Sequence, residues 1–361
     1  MNDEYYMRLA LNLARKGHGC VSPNPMVGAV IVKNGRIIGK GYHQCFGGNH
    51  AEINAIHDAG KAVKGATLYV TLEPCCHEGK TPPCVDSIIK HHIARVVVGA
   101  IDANPLVCRE GVNCLARRGI EVKTGVLEDD CRRLNEPFFH FMETGMPFVT
   151  IKYAQTLDGR IATATGDSQW ISSPASLKYA HRLRTEHDAI LVGRGTIDRD
   201  DPELTVRLVR GRNPFRVVVD SGLNISTQSK IVQKVSSAPT IIATVRKSAD
   251  PKFKKLAGYG VDILTIDADQ QGKVDLKKLL KKLADRKISS VLIEGGAQII
   301  TSVIRNNLAN RLVTVVAPKI IGGGIEAIGD LHIRSLQKAK LLSFQKITKI
   351  GNDIIIDSRL V

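Results

Sequence analysis

Four side chains suited to hydrolytic chemistry lie close together in the first quarter of the chain. His50 and Glu52 stand in His50-Ala51-Glu52, and Cys75 and Cys84 frame the run Pro74-Cys75-Cys76-His77-Glu78-Gly79-Lys80-Thr81-Pro82-Pro83-Cys84. One imidazole and two thiolates hold Zn²⁺ and leave a fourth position for water, the pattern of catalytic rather than structural zinc. Zinc makes that water a usable hydroxide near neutral pH, and a carboxylate outside the ligand set, here Glu52, moves its protons. His-x-Glu followed by Pro-Cys-x₂-Cys marks zinc nucleobase deaminases. Here eight residues separate Cys75 from Cys84, a departure in spacing. Taken singly, each cysteine reads as a small buried hydrophobe and His50 as a core histidine. All four at the edges of regular elements favour the metal. Cys76 is an alternative to Cys75, which is preferred because it directly follows Pro74.

The surrounding pattern predicts the elements that would bring these residues together. Met7, Ala10, Leu11 and Ala14 have the spacing of an amphipathic helix from Glu4 to Arg15, with Asp3 as its cap. Two strand-like runs, 27–33 and 36–42, flank Asn34-Gly35, a strong hairpin signal. A helix over Ala51–Ala59 opens at His50. Positions i and i+2 do not share a helix face, so His50 and Glu52 meet only if His50 is a half-unwound capping residue. A strand over Ala66–Leu72 delivers Glu73-Pro74-Cys75, and Pro83 suits the first turn of a helix to about His91. A strand over Arg95–Ile101 and a helix over Gly111–Arg118 complete a β-β-α-β-α-β-α order, an α/β sandwich. A helix from about Leu127 to Glu143 stops at Thr144-Gly145-Met146-Pro147, which divides the chain into 1–145 and 146–361.

After this boundary a second α/β pattern begins. Strands are predicted at Phe148–Gln155, Ala189–Val192, Arg216–Val219, Thr240–Thr244, Val261–Ile266, Ser290–Ile293, Leu312–Val316 and Asp353–Asp357, and helices at Ala175–Thr185, Leu276–Ala284 and Ala297–Asn306. There is no internal repeat, so the halves are different domains. The lysine-rich stretch Lys277–Lys282 reads as a solvated helix face.

A chain of 361 residues exceeds one typical core, and 43% hydrophobic with 24% charged residues is ordinary globular composition. No apolar run approaches the ~18 residues of a membrane span, and Met1-Asn2-Asp3-Glu4 lacks the basic head of a signal peptide. Scattered cysteines fit reduced thiols in the cytoplasm. The net charge of +16 is spread along the chain, and only 4% of residues are aromatic. That balance suits small phosphorylated ligands and gives few stacking platforms for single strands, so neither nucleic acid nor membrane is expected as a partner.

Several longer motifs carry a family resemblance. Ser22-Pro23-Asn24-Pro25-Met26-Val27-Gly28, Gly41-Tyr42-His43, His50-Ala51-Glu52, Tyr69-Val70-Thr71-Leu72-Glu73-Pro74-Cys75 and Gly79-Lys80-Thr81-Pro82-Pro83-Cys84 resemble the deaminase half of the bifunctional deaminase/reductases of riboflavin biosynthesis. Ile151-Lys152-Tyr153-Ala154-Gln155-Thr156-Leu157-Asp158-Gly159-Arg160, Ser168-Gln169-Trp170-Ile171, 200–207 and Glu294-Gly295-Gly296 are similar to its reductase half. The resemblance implies a cytidine-deaminase-like α/β/α sandwich over 1–145 and a dihydrofolate-reductase-like α/β domain over 146–361. The first would be the zinc-dependent pyrimidine deaminase and the second the NADPH-dependent reductase.

The implied substrate is a diaminopyrimidinone carrying ribosylamino 5′-phosphate. Its ring 2-amino group would be replaced by oxygen, and its ribosyl chain would then be reduced to ribityl. His50, Cys75 and Cys84 would hold zinc, with Glu52 as general acid and base. Asn24, His43, His77 and Lys80 would hold the pyrimidine phosphate, joined by Asp102 and Asn104-Pro105. In the reductase the resemblance implies cofactor contacts at Ala154, Trp170, Thr196, Asp200 and Ser221. It adds the run Gly296, Ala297, Gln298, Ile299, Ile300, Thr301 and Ser302, where bare amides at a helix start suit a pyrophosphate. Substrate contacts would come from Ser168, Arg184, Leu204, Arg207 and Glu294, with both guanidinium groups suited to phosphate. Arg246-Lys247, past a strand end, are candidates for the cofactor 2′-phosphate. One stretch departs from the family: Val107-Cys108-Arg109-Glu110-Gly111 places Glu110 where a cation is usual. A tRNA-type deaminase with an accessory C-terminal domain is the competing reading, and it leaves the second half unexplained. A homo-oligomer joined through the reductase sheet is compatible with the pattern.

Overall fold

The structure, a computed structural model, describes residues 2–77, 82–104 and 108–361. It divides into two compact units, Met1–Gly145 and Met146–Val361.

The first unit runs α1 (Asp3–Ala14), β1 (Gly28–Lys33), β2 (Arg36–Tyr42), α2 (Ala51–Ala59), β3 (Thr67–Leu72), α3 (Cys84–Lys90), β4 (Arg95–Ala100), α4 (Glu110–Arg117), β5 (Glu121–Lys123), α5 (Glu128–Leu134) and α6 (Glu136–Thr144). Its sheet has the order β2-β1-β3-β4-β5, with β1 antiparallel to β2 and β3, and β3, β4 and β5 parallel. Asn34 and Gly35 both take positive φ, 50° and 74°, as a tight hairpin turn requires. Strand alternation sorts the core into two layers. Ile31, Leu68, Val70, Val96 and Val98 pack with Ala55, Val85, Ile88 and Leu115 from α2, α3 and α4. Val30, Val32, Tyr69 and Val97 pack on the other face with Met7, Leu11, Cys131 and Phe139. An α/β/α sandwich results.

Two sequence expectations change here. Asn2 caps α1, its side chain accepting from the Tyr5 N–H, whereas Asp3 sits in the first turn. There Asp3 accepts from Tyr69 Oη, Arg95 and Lys123, a role that draws it inward instead of toward the helix end. The expected helix from Leu127 to Glu143 is two helices broken at Asn135. The Asn135 amide is spent on the backbone of Met26, accepting from its N–H and donating to its C=O at 2.8 Å each, and Pro137 restarts the second helix.

The second unit comprises β6 (Phe148–Thr156), β7 (Arg160–Thr163), α7 (Pro174–Glu186), β8 (Ala189–Gly193), α8 (Arg194–Asp200), β9 (Phe215–Val219), α9 (Lys230–Gln233), β10 (Thr240–Thr244), α10 (Pro251–Gly258), β11 (Asp262–Thr265), α11 (Leu276–Asp285), β12 (Ser290–Gly295), α12 (Ala297–Arg305), β13 (Arg311–Ala317), β14 (Gly324–Glu326), β15 (Leu342–Ile350) and β16 (Asp353–Leu360). A nine-stranded sheet has the order β11-β10-β9-β8-β12-β6-β13-β16-β15, parallel as far as β13 and antiparallel beyond it. Alternate residues of its central strands again serve opposite layers. Leu191, Val217, Ile241, Val291 and Ile293 pack under α11 and α12, and Ile190, Val192, Val218 and Ile242 face Ile231 and Leu256. The parallel order places the carboxyl ends of β6, β8, β9 and β12 along one edge, where open α/β sheets bind ligands. Among the described residues, no helix is long and apolar enough to cross a membrane.

Candidate active sites

In the first unit, His50 caps α2 in an extended conformation (φ −70°, ψ 163°) and makes no side-chain capping bond, so its ring is left to other partners. Gly41 permits the approach: a Cβ there would meet Ala51 O at 2.2 Å, so β2 lies directly against the start of α2. Cys75 follows β3, and Cys84 opens α3. His50 Nδ1 lies 3.2 Å from Cys84 Sγ and 3.5 Å from Cys75 Sγ, and the Cys84 N–H donates to Cys75 Sγ at 3.4 Å. One donor atom from each of the three residues falls within 4.8 Å of the others. One nitrogen and two sulfurs at that separation fit a thiophilic cation of tetrahedral preference with one position left over.

Electrostatics support the same use. A hydrogen bond from Cys84 and the neighbouring His50 hold the Cys75 thiol down to about 4 in spite of burial. The Cys84 thiol is pushed up by that bond and by burial. Glu52, only 3% exposed, is pushed up to about 7 by burial and by the Cys75 charge, with His50 opposing. Cys76 takes no part in the cluster; it packs against the core, and burial raises its thiol. Zinc content should therefore fall to near zero in Cys75→Ser and stay at parental level in Cys76→Ser, read by atomic emission on purified protein. Loss from Cys76→Ser alone would reverse the assignment.

Asn24 and His43 come together beside this cluster. The His43 ring lies edge-on to His50 with centroids 5.4 Å apart. His43 Nδ1 donates to Asn49 O at 3.0 Å, so its Nε2 accepts from the Asn24 amide at 3.2 Å. Asp102 is buried and pushed up to about 6 by that burial, and the charges of Glu73, His77 and Cys75 act on it. His77 itself is exposed. Lys80 and Pro105 lie outside the described residues. Glu110 pairs with Arg117 of its own helix at 3.6 Å on an exposed surface.

The second unit holds a broad cleft along the carboxyl edge of its parallel strands. Ala154, Ser168, Trp170, Arg184, Thr196, Asp200, Leu204, Arg207, Ser221, Glu294 and the run 296–302 all line it. Gly296 starts α12 with φ 81° and no side-chain cap, so the first amides of that helix are left bare. Arg246 and Lys247 do not line the cleft, whereas Lys230, Lys273 and Lys277 do. The sequence pointed to Arg246-Lys247 only through their place after β10.

Arg184 lines the cleft with its guanidinium already engaged. Its Nε and Nη2 donate to Glu294 Oε1 and Oε2 at 2.8 and 2.6 Å, and Nη1 donates to Thr205 O at 2.9 Å. The guanidinium fork is thus filled by a buried carboxylate. Arg207, half exposed, contacts Thr205 Oγ1 at 2.9 Å and Glu203 at 3.4 Å, which leaves it the better placed of the two for an anion. Lys152 was overlooked in the sequence. It lines the same cleft, its amine is pulled below the ordinary lysine value by burial, and Glu294 opposes that pull. The overlooked signal was a lone charge inside the apolar strand β6.

Two buried histidines also escaped sequence reading. His181 Nδ1 accepts the Arg207 N–H at 2.9 Å, and burial with Arg184, Arg207 and Lys152 nearby holds it down to about 4. His187 Nδ1 donates to Leu183 O at 2.7 Å, and burial lowers it too. Both groups bind protons less well folded than unfolded. The unfolded chain therefore takes up more protons as pH drops through 6.5 toward 4, and stability falls with it. Calorimetry of the full chain should show this acid loss in the transition that NADP⁺ shifts, and His181→Gln with His187→Gln should flatten it between pH 6.5 and 4.

Comparison with known proteins bears on both units. Residues 147–356 match the RibD C-terminal domain, and residues 1–100 match the cytidine and deoxycytidylate deaminase zinc-binding region. The riboflavin biosynthesis protein RibD of Aquifex aeolicus is 46% identical across 98% of this chain and 97% of its own length. A solved Acinetobacter baumannii RibD superimposes with a TM-score of 0.90 at 34% identity, covering 99% of both chains. A diaminohydroxyphosphoribosylaminopyrimidine deaminase/5-amino-6-(5-phosphoribosylamino)uracil reductase from Thermotoga maritima does so with a TM-score of 0.88 at 37% identity, again over 99% of both.

Proposed function

Since the chain belongs to the RibD family of bifunctional riboflavin-biosynthesis deaminase/reductases, we propose that Met1–Gly145 deaminates a ribosylamino-pyrimidinone 5′-phosphate and Met146–Val361 reduces its ribosyl chain. The observation that carries this reading is one chain holding a zinc-type donor cluster beside a buried carboxylate and, separately, a cleft that gathers Lys152, Arg184 and Glu294.

His50, Cys75 and Cys84 would hold Zn²⁺, which supplies an activated water when bound. Glu52, buried two positions past His50 in the first turn of α2, carries protons between water, the ring and the departing ammonia. The Asn24–His43 pair, fixed through Asn49 O, holds the pyrimidine beside the cluster. His77 and Lys80 complete the substrate set.

In the second unit NADPH supplies the hydride. The bare first turn of α12 takes its pyrophosphate, with Ala154, Trp170, Thr196, Asp200 and Ser221 along the rest of the cofactor. Ser168, Leu204 and Arg207 hold the sugar phosphate. Glu294 receives Arg184 and keeps Lys152 charged enough to give a proton where hydride delivery creates the need. Lys230, Lys273 and Lys277 replace Arg246-Lys247 as the cations that favour the 2′-phosphate.

Eight free cysteines support a reducing, cytoplasmic setting. The exposed apolar side chains Leu342, Phe344 and Ile347 on edge strand β15 support pairing with a second copy. We expect no nucleic-acid partner. The purified full chain, given the diamino-pyrimidinone ribosyl phosphate and NADPH, should release ammonia and then oxidise NADPH. Ammonia released only from RNA, with binding that falls steeply with salt and no NADPH oxidation, would favour the tRNA-type alternative.

A further inference from the structure

We propose that Glu73 is a positioning residue for deamination, clamping Asp102, Arg109 and the first turn of α4 to the strand end that carries Cys75, a role that rests on the deaminase reading of the first unit. Glu73 lies one residue past β3 and is 4% exposed. Its Oε2 accepts from the backbone N–H groups of Asp102 at 3.2 Å and Arg109 at 3.0 Å, and its Oε1 accepts from Val112 at 3.1 Å. Its own N–H donates to Ala100 O at 3.0 Å. One carboxyl thus ties together the ends of β3 and β4 and the start of α4, segments far apart in sequence.

No ion pair to Glu73 is found among the described residues. Its burial is compensated by N–H donors, one of them in the first turn of α4, where the helix end favours negative charge. The fit is close. Arg109 adopts a left-handed φ of 62°, and a Cβ on Gly111 would come within 2.0 Å of Pro74 O. Helix α4 therefore rests on the peptide that precedes Cys75. Asp102 is thus held by its backbone N–H to a residue two positions before Cys75, which ties it to the strand end that carries that thiol. Simple folding needs only neutral acceptors here. A carboxylate receiving three backbone donors fixes the wall more tightly.

Two variants test this on the full chain. In Glu73→Gln the amide NH₂ must face an N–H donor, and in Gly111→Ala the new methyl levers α4 away while Glu73 remains. Both should raise the deaminase KM by roughly ten- to a hundredfold, the scale of an unsatisfied buried donor. Deaminase kcat should stay within about threefold. Zinc should remain stoichiometric, NADPH-dependent reduction should match the parent, and amide exchange at Asp102, Arg109 and Val112 should accelerate. An unchanged KM with faster exchange at those amides would overturn the role. So would loss of zinc with reduction intact in both variants, which would assign Glu73 to folding alone. A parent chain that releases no ammonia would reject the deaminase reading instead, before either variant is considered.

Discussion

Glu52→Gln is expected to lower ammonia release by roughly 10²–10⁴-fold while zinc content and NADPH-dependent reduction stay at parental levels. The geometry motivates this size of effect. Glu52 is in the first turn of α2, two positions after the cap that bears the His50 ring, and it is almost fully buried. Burying a carboxylate costs free energy unless it is paired or hydrogen-bonded, and here burial pushes Glu52 toward its neutral form. Glutamine keeps its volume and one acceptor but cannot carry a proton between water and the ring. The reductase unit provides an internal standard: folding damage would lower both activities or the metal content. A Glu52→Gln chain that deaminates as fast as the parent, with zinc in place, would remove Glu52 from the catalytic role. Glu52→Ala alone could not settle this, because it also opens a hole beside the ligands.

The donor triad was legible because its residues mark boundaries. His50 precedes a helix, Cys75 follows a strand and Cys84 opens a helix, and period counting finds such edges. The Asn34-Gly35 hairpin and the break at Gly145 were legible for the same reason. What stayed hidden depends on contacts between distant segments. Asn135 gives its amide to Met26, 109 positions earlier, and so divides a helix whose apolar spacing looks continuous. Arg184 invites a phosphate until Glu294, 110 positions later, is seen to fill its fork. β7 and β14, with four and three residues, pair only with each other and are too short to show alternation. Edge strand β15 alternates poorly because most of its side chains are exposed.

The reductase cleft offers the other large effect. Glu294→Ala should abolish reduction and also destabilise the second unit by about 3–5 kcal/mol, the usual cost of stranding a buried charge. Glu294 and Arg184 keep 8% and 12% of their side chains exposed and meet through two short parallel bonds. Removing the carboxylate leaves Arg184 facing empty space and takes from Lys152 the group that opposes its loss of a proton. Denaturant titration of the transition that NADP⁺ shifts would measure the stability term, and NADPH oxidation the catalytic one. The paired replacement Arg184→Met with Glu294→Leu separates the two, because an apolar pair of similar volume removes both charges at once. Stability should then return to within about 1 kcal/mol of the parent while reduction remains absent. If Glu294→Ala alone left the midpoint and reductase rate unchanged, the ion pair would be neither a stabilising contact nor part of the substrate site. If the double variant regained reduction, the charges would be structural, and Lys152 would not depend on Glu294 to give its proton.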